Sequence, residues 1–351
     1  MQRIASFNLT YFSSIASKLL ICMGIRMREI IVNGNQAGQR LDKLLAKYLN
    51  KAPRSFFYKM LRKKNIVLNG KKAAGNEKLV VGDSVKFFLS EETIINFSEV
   101  IVEQMKSNLD IIFEDKNILI LNKAAGVLSQ KAKPEDISLV EHLISYMLET
   151  GELTEAQLMS FKPSICNRLD RNTTGIVVAG KTLIGLQTMT SLFKERSIHK
   201  YYHCLVEGNM SKQRRITGYL RKNEASNKVR IYEQEMAGAL PIQTEYTPLS
   251  VGDGVTLLAV KLITGRSHQI RAHLSSIGHP IIGDFKYGNK KQNQKYREQF
   301  GLTHQLLHSY RVEMPVIEGE LSDLSNEIFM APYPWLFMTV GIALGAIKKE
   351  T

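Results

Sequence analysis

Residues 166–175 read CNRLDRNTTG and run directly into the β-branched stretch IVVAG. One carboxylate, Asp170, stands between two guanidiniums, Arg168 and Arg171, at the mouth of an apolar run. Nearby positive charge favours the ionised form of an acid, which suits a nucleophile and does not suit a general acid. Asn172, Thr173 and Thr174 can hydrogen-bond the local backbone and stiffen the loop. Gly175 suits a tight or positive-φ turn. Taken alone, the same charges also describe a structural ion pair.

Two other stretches carry side chains that could complete a site. In KLITGRSHQIRAHLSSIGHPIIGD, residues 261–284, Gly265 breaks a strand and a helix is expected from about Ser267, capped by Gly278 with Pro280 beyond. Ile270, Leu274 and Ile277 form its expected buried stripe, and Arg271 beside them can reach a sheet edge. His268, His273 and His279 raise a metal reading, but His268 and His273 are five apart, whereas helical ligand pairs favour three or four. Packing or RNA-facing roles suit them better. In SIHKYYHCLVEG, strand alternation puts Lys200, Tyr202 and Cys204 on one face and Tyr201, His203 and Leu205 on the other. A tyrosine there is either core or a surface on which a flat base stacks. The Asp-Thr-Gly of aspartic proteases is not met, since Arg171 and Asn172 intervene and there is no second copy. No phosphate-binding or dinucleotide glycine fingerprint is present, so no nucleotide cofactor is expected.

The elements that must position these residues fall into two blocks. Residues 38–90 read as a small unit: QRLDKLLAKYL and APRSFFYKMLRKKN as helices, then IVLNGKKA as strand, Asn-Gly turn and strand, then VVGDSVKFFL as a hairpin. Eight cations lie between Lys51 and Lys72 with no acidic residue among them. An exposed helix ordinarily mixes signs, so this run reads as a footprint for a phosphate backbone. Residues 91–107 read as a linker of modest structure. From about 108, strand-like runs dominate, with helices at 138–149 and 183–196 and no regular alternation; this implies α+β architecture with a mixed, largely antiparallel sheet. The whole chain of 351 residues carries a net charge of +14, which favours a polyanionic partner. Its three cysteines have neither disulfide nor metal spacing and fit reduced thiols in the cytoplasm. Residues 1–26 have a weak signal-like look but read more simply as an extension upstream of a start at Met23 or Met27. APYPWLFMTVGIALGAI, near the other end, is marginal for a bilayer and is expected to pack as a terminal helix or strand, with 336–351 as a tail.

Taken together these segments resemble the RluA family of pseudouridine synthases, preceded by a unit that resembles the S4 RNA-binding domain. RLDKLL, PRSFFYKML and VLNGKK carry the S4 likeness in order. The family's central motif is His-Arg-Leu-Asp followed after two residues by Thr-Ser-Gly; NRLDRNTTG matches it with Asn167 for the His and Thr174 for the Ser. NKAAG matches Asn-Lys-Pro-Ala-Gly with Ala124 for Pro, KYY matches Lys-x-Tyr, and GRSHQIR matches in order, followed by GHPIIGD, LLHSYRVEMP and FMAP. The likeness covers residues 38–333 and implies a pseudouridine synthase domain over about 108–335.

What the resemblance implies about residues is specific. Asp170 forms a covalent adduct with the target uridine, attacking either ribose or uracil. Tyr202 stacks on the base and can take part in proton transfer, and Arg271 pairs with Asp170. Arg168 holds the RNA stack while the uridine is flipped out, as base chemistry requires. Lys200, Arg266 and Gln269 contact the RNA beside the site. Arg40, Arg54, Arg62, Lys63, Lys64 and Lys71 bind RNA on the S4-like unit. The expected partner is RNA, by resemblance large-subunit ribosomal RNA, with transfer RNA open. No metal, cofactor or membrane is expected, and the chain is expected to act as a cytoplasmic monomer. Two rivals are an S4-type RNA-binding or ribosome-assembly protein with an inactive second domain, and a metal-dependent nuclease using His268, His273 and Asp284.

Overall fold

The structure, a computed structural model, describes residues 27–99 and 105–349. The expected extension at 1–26 lies outside them. The chain divides into two compact units, one running up to Met105 and including Ile144–Lys162, the other formed by Lys106–Leu143 and the residues from Pro163 onward.

In the first unit, strand β1 (Met27–Ile31) precedes helices α1 (Leu41–Tyr48) and α2 (Arg54–Arg62), strands β2 (Ile66–Leu68) and β3 (Ser84–Phe88), and helix α3 (Glu91–Phe97). The sheet has the order β1-β3-β2 with antiparallel pairing. Leu41, Leu44, Leu45 and Leu49 recur at helical spacing and are fully buried with Phe57, Leu61, Ile66 and Phe87. Asn69 and Gly70 both take positive φ, as a two-residue hairpin turn requires, but a single bridge from Leu68 to Lys71 replaces the expected second strand. The segment read as a linker begins with α3, for which the Ser90 side chain accepts from Thr93 N at 3.2 Å and Ile94 is fully buried. Residues 144–162, read as part of the second domain, pack with this unit; Gln36 Nε2 donates to Ser160 Oγ at 2.6 Å.

The second unit is built on β4 (Ile111–Glu114), β5 (Ile118–Lys123), β6 (Ser164–Ile165), β7 (Thr174–Gly180), β8 (His199–Glu207), β9 (Arg214–Asn223), β10 (Lys228–Tyr232), β11 (Leu240–Val251), β12 (Val255–Leu262), β13 (Leu307–Glu313) and β14 (Ile328–Met330). The order is β10-β9-β11-β12-β8-β13-β7-β5-β4, with β14 on β13 and β6 on β7. Among the strands of the described residues only β13 and β7 pair in parallel, so the sheet is mixed and largely antiparallel within an α+β fold. Along the chain, α4 (Leu139–Glu149) and the short α5 (Glu155–Leu158) are followed by α6 (Leu183–Glu195), α7 (Gln269–Ser276), α8 (Lys290–Phe300) and α9 (Trp335–Ala343). α9 begins at Trp335, one residue before the expected tail, and Phe337 and Val340 bury it in a core with Leu205 and Ile282, so this apolar stretch packs as a terminal helix. Among the described residues no helix is long and apolar enough to cross a membrane.

The register places the central residues in one row: Lys123 opposite Gly175, Gly175 opposite Ser309, Ser309 opposite Tyr202, and Tyr202 opposite Val260. Gly175 has φ +102°, and a Cβ there would lie 2.3 Å from the Ser309 carbonyl oxygen. Only glycine lets the strand that leaves the Asp170 loop approach β13 this closely.

Candidate active site

Asp170 sits in the loop between β6 and β7. A clamp outside the strands fixes that loop. Ser129 Oγ donates to Leu169 O at 2.8 Å and accepts from Leu169 N at 3.1 Å. Gly126 N donates to Arg171 O, and Arg171 Nε donates back to Gly126 O, each at 3.0 Å. Arg171 therefore serves the clamp rather than the carboxylate beside it. Lys123, 1% exposed, donates from Nζ to the carbonyls of Ala124, Val127 and Arg171, each at 2.9 Å. Burial pushes its ammonium pKa down to about 7, with the charge of Asp170 opposing. Asn167 accepts from Val178 N at 2.8 Å and donates to Ile176 O at 3.3 Å, lacing the loop to β7.

The partner of Asp170 comes from α7. Arg271 Nη1 donates to Asp170 Oδ2 at 2.8 Å, while Nε and Nη2 donate to Asp284 Oδ2 and Oδ1 at 2.7 and 2.9 Å. Asp284 is 1% exposed. Its Oδ1 also accepts from the backbone N–H groups of Lys286 and Tyr287. A bidentate pair of this kind fixes the guanidinium plane and directs the remaining N–H outward. Burial alone would lower the Arg271 pKa, but the hydrogen bonds and charge of Asp284, then Asp170, raise it overall. The Tyr287 ring lies 5.2 Å from the guanidinium carbon. The Asp170 side chain is 27% exposed. Its Oδ1 accepts no hydrogen bond among the described residues.

Tyr202 is 5% exposed beside Ser309. Burial pushes its phenol up to about 12, a Ser309 hydrogen bond opposes this, and the charge of Asp170 adds to the rise. His268, the N-cap of α7, takes a left-handed backbone with φ 54° and places Nε2 3.9 Å from Asp170 Oδ2. Lys200 is half-buried over the Phe193 ring, 5.7 Å away. Burial, then the neighbouring Arg196, lowers its pKa.

The expected site residues divide unevenly. Asp170, Arg271 and Tyr202 come together; Arg168 lies exposed on the same loop. Gln269 is a correction. It is 2% exposed and accepts from Thr264 Oγ1 and Arg266 N while donating to Gln243 O and Thr244 Oγ1, so its amide secures the turn into α7 and offers nothing to RNA. The helix is buried from Gln269 to Leu274 on all sides rather than along one stripe, whereas Ile277 is only partly buried. Arg266 is half-buried, and its Nε has no hydrogen-bond partner among the described residues. The nuclease triad does not assemble. Asp284 is spent on Arg271, His273 faces Thr244 Oγ1 at 3.0 Å, and among the described residues no three His, Cys, Asp or Glu could hold a metal ion. On the first unit, Arg54, Arg62, Lys63, Lys64 and Lys71 are exposed and lack ion-pair partners among the described residues. Arg40 is instead paired with Asp42 at 2.8 Å, and Lys51 with Glu99 at 2.8 Å.

Residues 117–276 match the pattern of the RNA pseudouridylate synthase family. A Mycoplasma capricolum protein named an uncharacterized RNA pseudouridine synthase is 31% identical over 314 residues, covering 88% of this chain and 99% of that protein. The chain belongs to the RNA pseudouridine synthases. The ribosomal large subunit pseudouridine synthase C of Vibrio cholerae is 29% identical over 304 residues, covering 84% of this chain and 92% of that protein. The solved structure of human RNA pseudouridylate synthase domain containing 4 superposes with a TM-score of 0.54 at 22% identity, over 67% of this chain and 93% of that one, so the fold is the pseudouridine synthase fold. Residues not assigned to the site from the sequence hold much of its geometry: Lys123 and Ser129 clamp the loop, Asp284 fixes Arg271, and Ser309 joins Tyr202 to Gly175. NKAAG and GHPIIGD were the available signals, but neither says which backbone atoms or guanidinium its polar side chains meet.

Proposed function

We propose that this pseudouridine synthase modifies large-subunit ribosomal RNA and uses Asp170 as its nucleophile. The observation that carries the reading is the grip on the carboxylate: Arg271, fixed from behind by buried Asp284, holds Oδ2 at 2.8 Å and leaves Oδ1 without a donor among the described residues. Oδ1 attacks the flipped uridine at ribose or uracil to give a covalent adduct. The bond from N1 to C1′ breaks, the uracil turns, a bond from C5 to C1′ forms, N1 gains a proton and the C5 proton leaves. The carboxylate is regenerated, so no co-reactant is consumed. Tyr202 supplies the aromatic surface beside the reacting base, while Arg168, Lys200 and Arg266 face the RNA around it.

Large-subunit ribosomal RNA as substrate is supported by the relatives named for that activity. An S4-type role for the first unit is supported by its unpaired exposed cations on α2 and the hairpin turn. Mapping pseudouridines across total cellular RNA with and without the chain tests the substrate. Loss of one or more large-subunit positions is expected, and loss confined to transfer RNA would overturn it.

A further inference from the structure

His268 is placed by features that its helix does not need. It has a left-handed backbone, with φ 54° and ψ 17°, at the N-cap of α7, and its side chain makes no capping hydrogen bond. Glycine or asparagine carries that conformation with less strain than histidine. What the strained position achieves is to set the imidazole between Asp170 and Tyr287. Nε2 lies 3.9 Å from Asp170 Oδ2, and Nδ1 lies 2.8 Å from the Tyr287 hydroxyl.

The hydrogen bonds around Tyr287 decide which nitrogen carries the proton. Val229 N donates to the Tyr287 hydroxyl oxygen at 2.9 Å. With that acceptor role filled, the phenolic O–H points to His268, whose Nδ1 must then be the acceptor. A neutral ring that accepts at Nδ1 carries its proton on Nε2, the nitrogen facing Asp170. Burial lowers the His268 pKa, Asp170 raises it, Arg271 and Lys286 lower it, and Asp284 raises it; the net effect is downward, which favours the neutral ring.

We propose that Tyr287 locks His268 as the Nε2–H tautomer, making His268 a positioning residue that joins Arg271 in holding Asp170 Oδ2 and so commits Oδ1 to attack. This rests on the reading of Asp170 as the nucleophile. The gap of 3.9 Å is longer than a hydrogen bond. A small rotation of Asp170 closes it, as catalytic hydrogen bonds commonly tighten once substrate is bound. In the adduct Oδ1 is bonded to the nucleoside and Oδ2 is the ester carbonyl, which still accepts from both donors.

The test has a spectroscopic and a kinetic arm, both on the full chain. With ¹⁵N-labelled histidine, long-range ¹H–¹⁵N spectra assigned through H268N should show His268 as the Nε2–H tautomer, and Y287F should bring in the Nδ1–H form. An Nδ1–H ring or an imidazolium in the unsubstituted protein at neutral pH overturns the proposal. In single-turnover release of tritium from [5-³H]uridine RNA, H268N should slow the step by about tenfold to a hundredfold with RNA affinity unchanged. H268Q, whose amide N–H reaches the place of Nε2–H, should recover at least about tenfold of that loss. Equal losses in the two variants, or none in H268N, overturn the proposal. Asparagine suits the left-handed backbone, so misfolding does not mimic the effect. The tautomer is read without activity, so an active D170N enzyme would count against the nucleophile while the spectra still judge the lock.

Discussion

Replacing Asp284 with Asn keeps the side chain's shape and removes one buried charge. Its carboxylate accepts from Arg271 Nε at 2.7 Å, Arg271 Nη2 at 2.9 Å, Lys286 N at 2.9 Å and Tyr287 N at 3.1 Å. Three of these fall on Oδ1, which the asparagine oxygen can replace. The amide nitrogen then faces Arg271 Nε, donor against donor. Arg271, 7% exposed, is left with Asp170 as its anionic partner. Breaking a buried pair by removing one partner costs about 3–5 kcal/mol. For a domain of this size each kcal/mol lowers Tm by roughly 2–4 °C, so a fall of about 10 °C is expected. Turnover should drop by about tenfold or more, because the guanidinium that aims Asp170 is no longer fixed. D170N should behave oppositely: Arg271 keeps Asp284, stability stays within about 1 kcal/mol, and turnover is lost. Urea unfolding and tritium release on both variants check the pair. If D284N unfolds at the same urea concentration as the parent, or if D170N is the less stable of the two, the account of the Arg271 grip is wrong.

Three further expectations follow from other parts of the molecule. G175A forces a Cβ to 2.3 Å from the Ser309 carbonyl at φ +102°, so a loss of at least about 3 kcal/mol is expected in thermal melts; unchanged melting would contradict the close approach of β7 and β13. Replacing Arg62, Lys63 and Lys64 together with Ala should raise KM and reduce the slope of log affinity against log salt by about 2–3, while an unchanged slope would remove this face from the RNA contact. His203, His273 and His308 are held neutral mainly by burial, which pushes each down to about 4. Their folded pKa values lie below the unfolded value, so the unfolded state binds protons first and stability falls as pH drops from about 6.5 towards 4. Each contributes up to about 1.4 kcal/mol per pH unit in that window, and urea titrations across it should show the slope; a flat profile would mean that these rings are already protonated in the fold.

The ion pair of Asp170 with Arg271 was legible because both residues stand in short ordered motifs. The carboxylate in NRLDRNTTG and the arginine in GRSHQIR were paired through the family resemblance that these motifs carry in order, since neither stretch alone names its partner. The β-branched runs and leucine spacing likewise marked most strands and α1. Hydrogen-bond destinations were not readable. Gln269 was expected to contact RNA, yet it lies in a helix buried on all sides, where an amide must satisfy the polar groups around it. Arg171 looked like a partner of Asp170 and instead bonds Gly126, because that destination depends on a loop about 45 residues earlier in the chain. Asp284 entered only as a ligand in the rival nuclease reading, because sequence shows its charge and not the guanidinium it meets. Strand β9 carries a weak sequence signal, because RRITGYLRKN puts cations where the alternation expects neutral residues and a glycine at its centre. α3 was hidden in a segment whose polar start reads as linker, although Ser90 and two glutamates form a ready N-terminus.

The claim on which the rest depends is that Asp170 performs the chemistry. D170N enzyme, saturated with large-subunit ribosomal RNA carrying [5-³H]uridine, should bind within about twofold of the parent's affinity and release no tritium above background in a single turnover. Release at a rate within about tenfold of the parent's would contradict the account and move the nucleophile elsewhere.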